Sequence, residues 1–151
     1  LKGLIAFYFE RMDRWLEEAE EIGVHPRDPY HRIDVILSDS QLRISLDGGL
    51  VAETRRAVAL FETGLPVRWY IPREAVLAKL EPSDTITHCP YKGQASYHSV
   101  AVEGGEDLVW CYPEPQVEVG AIAGLLCFFN ERVDVEVDGV AAERPPSPWS
   151  H

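Results

Sequence analysis

Between residues 85 and 93 the chain reads Thr-Ile-Thr-His-Cys-Pro-Tyr-Lys-Gly, which places an imidazole, a thiol, a phenol and an ammonium within five positions. Cys89, beside His88 and near Lys92, is a candidate nucleophile, because nearby positive charge favours the thiolate. Adjacent side chains of an extended chain point to opposite sides, however, so His88 is badly placed to take the Cys89 proton. A packed structural thiol is the competing expectation. Lys92-Gly93 offers a different chemistry: glycine permits positive φ and close backbone approach, letting an ammonium and exposed N–H groups face one anion. An ordinary turn with a solvated lysine is the plain alternative.

Two further segments carry usable groups. In Leu65-Pro-Val-Arg-Trp-Tyr-Ile-Pro-Arg-Glu74, Tyr70 and Arg73 can supply a phenol and a guanidinium to a polar ligand, while Trp69 and Tyr70 must face opposite sides of a strand. In Trp110-Cys-Tyr-Pro-Glu-Pro115, period two puts Trp110 and Tyr112 on one face and Cys111 on the other. Glu114 can act as an acid or base there, although a carboxylate at a helix start more commonly offsets the helix dipole. His25 and His31 flank a linker, His98 lies in a strand and His151 is the terminus; none has a partner at metal-ligand spacing, so neither a metal nor a cofactor is expected.

Short, turn-bounded strands must position these groups. Alternation predicts strands over residues 42–46 and 50–54 around Asp47-Gly-Gly49, then over 67–71, 96–102, 108–112 and 133–137, with Gly104-Gly105 and Asp138-Gly139 as turns. Residues 85–93 read as a loop between strands. One helix is expected over 117–128, opened by Pro113-Glu-Pro115, and a second over 12–22, where Met12, Trp15, Leu16 and Ala19 recur at helical spacing opposite Glu17, Glu18, Glu20 and Glu21. The expected class is mainly β, with Pro145-Pro-Ser-Pro148 as an extended tail.

Gly3-Leu-Ile-Ala-Phe-Tyr-Phe-Glu-Arg-Met-Asp13 and Gly124-Leu-Leu-Cys-Phe-Phe-Asn-Glu-Arg-Val-Asp134 are identical at six of eleven positions. A shared amphipathic pattern explains the apolar matches but not Glu-Arg-x-Asp in register, which points to duplication. On this reading residues 1–22 are the tail of a preceding copy, 23–32 a linker, 33–140 a complete domain and 141–151 a Pro-rich tail. Leu at position 1, with no basic segment before the first apolar run, fits an internal cut better than a signal peptide.

The formal charge of −11, from 25 acidic and 14 basic residues, sets nucleic acid and anionic membrane surfaces aside as expected partners. No run approaches the roughly 20 apolar residues of a membrane helix. Three cysteines without a C-x-x-C pair suit a reducing cytosol.

Ala52-Glu-Thr-Arg-Arg-Ala57, Glu62-Thr-Gly-Leu-Pro66, Tyr70-Ile-Pro-Arg73, Cys89-Pro-Tyr-Lys-Gly93, Ala95-Ser-Tyr97, Trp110, Tyr112-Pro-Glu-Pro115 and Ala121-Ile-Ala-Gly124 occur in this order. Together they resemble the bacterial family catalogued as domain of unknown function 427, over about residues 41–138. The resemblance implies a β-tent-like fold of curved antiparallel sheets and suits tandem-copy forms, but implies no activity. Relatives carry automatic labels of nucleotidyltransferase, yet this chain has neither the Gly-Ser loop nor the paired aspartates of such an enzyme. β-tent proteins often hold zinc on four cysteines, for which the pairs are missing here. His98 stands where the family pattern suggests an aromatic such as Trp.

The leading expectation is a small-molecule-binding module. Its pocket is built from residues 89–93, the Tyr70 and Arg73 segment and the Tyr97 strand, with His88, Lys92 and Tyr112 contributing to a polar or anionic ligand's site. A hydrolase or transferase using Cys89 is the alternative. A structural or interaction module, packing on another copy or on itself, is the third.

Overall fold

The structure, a computed structural model, describes residues 2–147. Leu1, Pro148 of the expected tail and His151 lie outside the described residues. The chain forms antiparallel sheets that do not close into a barrel. Its thirteen described strands are β1 Trp15–Glu17, β2 Glu20–Ile22, β3 Ile33–Ser38, β4 Leu42–Leu46, β5 Gly49–Thr54, β6 Ala57–Glu62, β7 Arg68–Ile71, β8 Leu80–Cys89, β9 Gly93–Val100, β10 Val109–Cys111, β11 Leu126–Phe128, β12 Asp134–Val137 and β13 Val140–Ala141.

Seven strands form one sheet in the order β3-β6-β7-β11-β10-β9-β8, and four form a second in the order β13-β12-β4-β5. Two tight hairpins build the smaller sheet. Asp47 and Gly48 join β4 to β5, and Asp138 and Gly139 join β12 to β13; all four residues have positive φ. That is the backbone of the two-residue turn whose twist matches the flanking strands, and Asp-Gly is its favoured sequence. An Ala52–Val76 bridge links β5 to the chain after β7 and ties the two sheets together.

The core between the sheets is aliphatic. Leu42, Ile44 and Leu46 point inward while Arg43 is exposed and Ser45 half-buried, so the alternation of β4 is read directly as burial. They meet Ile71, Val109, Cys111, Leu126 and Phe128 of the larger sheet. Full burial of each such aliphatic side chain contributes about 1.5–3 kcal/mol. The opposite face of the larger sheet carries a second cluster, including Leu60, Tyr70, Trp110, Tyr112 and Cys127, covered by Val119 and Ile122.

Both expected helices differ from the fold. Residues 12–22 form the β1–β2 hairpin rather than a helix, after a 3₁₀ turn at Phe9–Arg11. The Trp15 ring stacks on Phe9 and its Nε1–H donates to the Phe9 carbonyl (2.8 Å), which fixes a turn where a helix would have run. The hairpin places Trp15 opposite Ile22 and Leu16 opposite Glu21, and sets Glu17 directly across from Glu20. At residues 117–128 only Val117–Ile122 is helical, as 3₁₀ turns interrupted at Val119. Gly124, at φ +67°, then turns the chain into β11, where Leu126 is needed between Ile71 and Cys111. Residues 85–89 likewise belong to β8 rather than to a loop, and only residues 90–92 form the turn into β9. Among the described residues no helix is long and apolar enough to cross a membrane.

Candidate functional site

Alternation in the larger sheet decides which groups meet. Trp69, Ile71, Val109, Cys111, Leu126 and Phe128 turn toward the smaller sheet, so Tyr70, Trp110, Tyr97 and Cys127 turn the other way. Tyr112 continues the outward face just beyond β10. These outward rings, with Phe129, wall a cleft of about 310 Å³. Glu62, Arg68, Thr87, His88, Cys89 and Lys92 supply its polar lining, and Val24 and His25 reach it from the linker.

The linker is strapped down over the turn at residues 90–92. Tyr91 stacks on His31 with ring centroids 3.9 Å apart and 14° between planes, and its hydroxyl accepts a hydrogen bond from the Asp28 amide (2.7 Å). Gly93, which ends this turn, lets residues 114–116 approach closely. It has φ +99°, and a Cβ there would stand 3.3 Å from the Glu114 carbonyl oxygen, beside the segment whose Gln116 amide bonds to the Lys92 carbonyl.

Two ion pairs line the cleft. Lys92 Nζ donates to Glu62 Oε2, while His31 Nε2–H donates to Glu62 Oε1 (3.0 Å), so both carboxylate oxygens are engaged. Arg68 grips Glu131 through two hydrogen bonds of 2.7 Å, donates to Asn130, and lies over the Trp110 and Phe129 rings at 5.3 and 5.9 Å. Burial disfavours charge on Glu131, but its hydrogen bonds from Arg68 and Ser147 outweigh this and hold the carboxyl below its ordinary range. Burial lowers the proton affinity of Arg68, but Glu131 together with Cys127 and Tyr70 outweighs it, and the net direction is upward.

The Tyr70 and Tyr112 phenols are held in the neutral form. Burial, reinforced by Cys127, pushes Tyr70 well above the ordinary tyrosine range, and Trp110 Nε1–H donates to its oxygen (3.1 Å). Burial, together with Cys89 and Tyr97, raises Tyr112 in the same direction. Tyr97 shares a hydrogen bond with Thr87 (3.0 Å), whereas the Tyr112 hydroxyl has no hydrogen-bond partner among the described residues. Cys127 is fully buried, and desolvation pushes its thiol up to about 12, so it is a packed side chain rather than a reactive one.

Of the candidates read from the sequence, the cleft brings together Tyr70, His88, Cys89, Lys92, Tyr97 and Tyr112. Arg73 is not among them. It follows Pro72 on the 3₁₀ turn Arg73–Ala75, and its Nη1 donates to His98 Nε2 (3.3 Å). His88 stands at the rim, with Nε2 on the Gln94 side-chain oxygen (3.2 Å), and among the described residues no nitrogen hydrogen-bonds the Cys89 sulfur. Cys111 faces the other core and bonds Ser96. Glu62 was not singled out from the sequence; the one signal available was a charged residue ending a strongly apolar strand. Among the described residues no three His, Cys, Asp or Glu side chains gather to hold a metal ion.

The family model described as a domain of unknown function (DUF427) matches residues 34–139, from the second residue of β3 to the turn after β12. The chain belongs to the DUF427 family. The DUF427 match includes both sheets apart from Ile33 and β13, and nearly all of the cleft lining, and leaves the linker, with Val24, His25 and His31, ahead of it. No curated protein matches the chain.

Proposed function

We propose that this DUF427 domain is a small-molecule-binding module, and that its ligand is a flat, polar, net-uncharged molecule held in the cleft over the Trp110 face of the larger sheet. The observation that carries this reading is the convergence of Tyr70, Tyr97, Trp110 and Tyr112 with Cys89 and Lys92 around one concavity. Its volume, about 310 Å³, falls at the small end of ligand sites, which span roughly 300–1,000 Å³.

Charge argues for an uncharged ligand over an anion. Each cation of the lining already has its carboxylate, Lys92 with Glu62 and Arg68 with Glu131. An incoming anion would have to compete with both. The aromatic walls supply flat apolar area, Tyr112 supplies a neutral hydroxyl free to donate or accept, and Lys92 retains N–H groups beyond the one given to Glu62.

A fluorimetric melting screen with heteroaromatic fragments tests this. A ligand at 100 times its Kd adds about 2.7 kcal/mol to the folded state. Hits should weaken with Tyr112→Phe and ignore Arg73→Ala, which lies outside the cleft. Hits that respond equally to both variants, or a library without hits, would refute the reading.

A second reading, a hydrolase or transferase acting through Cys89, is favoured by one observation: among the three free cysteines only Cys89 lines the cleft. Alkylation by iodoacetamide across pH decides it. A Cys89 that labels with an apparent pKa near the free value of about 8.5, or does not label in the folded protein, has no activated thiolate.

A further inference from the structure

We propose that residues 3–22 are the closing segment of a second unit of this fold, and that residues 5–7 dock as the central strand of a body preceding them in the polypeptide. The inference is independent of any ligand.

The six identities between residues 3–13 and 124–134 are accompanied by matching backbone at the opening glycine and at the turn that follows. Gly3 and Gly124 open the two segments at φ +88° and +67°. The turn that follows closes with corresponding hydrogen bonds, Arg11 N to Tyr8 O (3.1 Å) and Arg132 N to Phe129 O (2.8 Å). Each segment then enters a hairpin, β1–β2 or β12–β13, whose two-residue turn begins at a non-glycine residue of positive φ, Glu18 at 53° or Asp138 at 51°.

The surroundings differ completely. Leu126 and Phe128 are 1% and 3% exposed in β11, between β7 and β10; their counterparts Ile5 and Phe7 are 83% and 64% exposed and pair with no strand. A strand built for the middle of a seven-stranded sheet is here without neighbours. This domain cannot host it, because β11 fills its own slot. The missing neighbours are therefore counterparts of β7 and β10 in another body. Chain order says where that body lies: in the complete unit the residues of the body, 33–123, precede the closing segment. Glu10 stands where Glu131 receives Arg68, and Tyr8 where Phe129 walls the cleft, so docking would also complete a second ion pair and a second cleft wall.

The test adds a body to the whole chain by fusing a copy of residues 33–123 ahead of Gly3, and follows amide exchange by mass spectrometry. The added body and residues 4–8 should both become protected, with at least a tenfold slowing over a fusion in which residues 3–13 are scrambled. A partner variant with Ala6→Cys, Phe9→Asn and Met12→Val, closer to the β11 segment, should protect at least as well. Protection no better than in the scrambled fusion, in either version, overturns the proposal. In the 151-residue chain itself, Ile5→Asp and Phe7→Asp should leave Tm within about a degree. Protected amides at residues 4–8 of that chain, or a core-sized fall in Tm, would overturn it as well.

Discussion

The two faces of the larger sheet are built from neighbouring residues of the same strands, yet they are held by different forces. Ile71, Val109, Cys111, Leu126 and Phe128 face the smaller sheet in a core without charge. One residue away along the chain, Tyr70, Trp110, Tyr112 and Cys127 face the cleft. The buried charged side chains of the described residues, Glu62, Arg68, Lys92 and Glu131, pair with one another on this second side. The first face answers to shape and volume. The second answers to whether each polar group keeps its partner, because an unpaired charge in a dry site costs far more than a lost contact. A scaffold that needed only stability would have no use for the second arrangement, which is why function is sought there.

The largest expected effect removes one partner of a buried pair. Glu131→Ala removes the carboxylate that offsets the buried Arg68 guanidinium, which keeps its bond to Asn130, and should cost about 3–5 kcal/mol in urea unfolding, whereas the double change Arg68→Met, Glu131→Leu should cost clearly less, since it removes both charges together. A double variant as unstable as the single one would show that the cleft face is held by shape after all.

Acid should expose the same asymmetry. The Glu131 carboxyl is held below its ordinary value of 4.5 in the folded chain, so the unfolded chain binds the proton first. Its contribution is thus complete above the unfolded value and is lost as pH falls through the lower folded one. Glu74, Glu81, Asp107 and Asp138 are shifted in the same direction, so the difference between wild type and Glu131→Gln is the quantity to follow. The two stability curves should lie furthest apart above pH 4.5 and converge as pH falls through the lower folded value. Parallel curves across that window would remove Glu131 as a source of the acid sensitivity.

On the dry face the matching change is small and indifferent to pH. Ile71→Val removes one methyl group from a fully buried side chain and should cost about 0.5–1.5 kcal/mol, the same at pH 4 and pH 7.

Legibility in the sequence follows the same division. β4 was readable because one face is buried in strict alternation, and β5 because Asp-Gly fixes the turn into it. β6 was not, since Ala57, Val58, Ala59 and Leu60 are all buried and a strand covered on both faces has no period to find. β8 was missed for the opposite reason: it is the edge strand and mostly exposed. The helical spacing of Met12, Trp15, Leu16 and Ala19 failed because a ring stack and one indole hydrogen bond outweigh weak helical propensity. In the cleft, aromatic and thiol positions were visible as residue types. Arg73 lies outside the cleft, on the 3₁₀ turn that follows Pro72, three residues beyond Tyr70 and so not on its face of the strand. The ion pairs were invisible, because the partners stand 30 residues apart for Glu62 and Lys92 and 63 for Arg68 and Glu131. Nothing local distinguishes a charge that will be buried against such a partner from one that will be solvated.

The smallest effect on stability should come from Tyr112→Phe, and it separates the two roles of the cleft face most cleanly. The ring is buried, and the change keeps it; the hydroxyl has no hydrogen-bond partner among the described residues. Deleting a group that bonds nothing in the protein leaves no orphan behind, so the unfolding free energy should move by no more than about 0.5 kcal/mol. The hydroxyl is instead available to a ligand, and a ligand that uses it should lose about 0.5–1.5 kcal/mol of affinity, up to roughly tenfold in Kd by titration calorimetry. A loss of stability larger than the loss of affinity would return Tyr112 to the structural side and leave Lys92 as the polar anchor of the site.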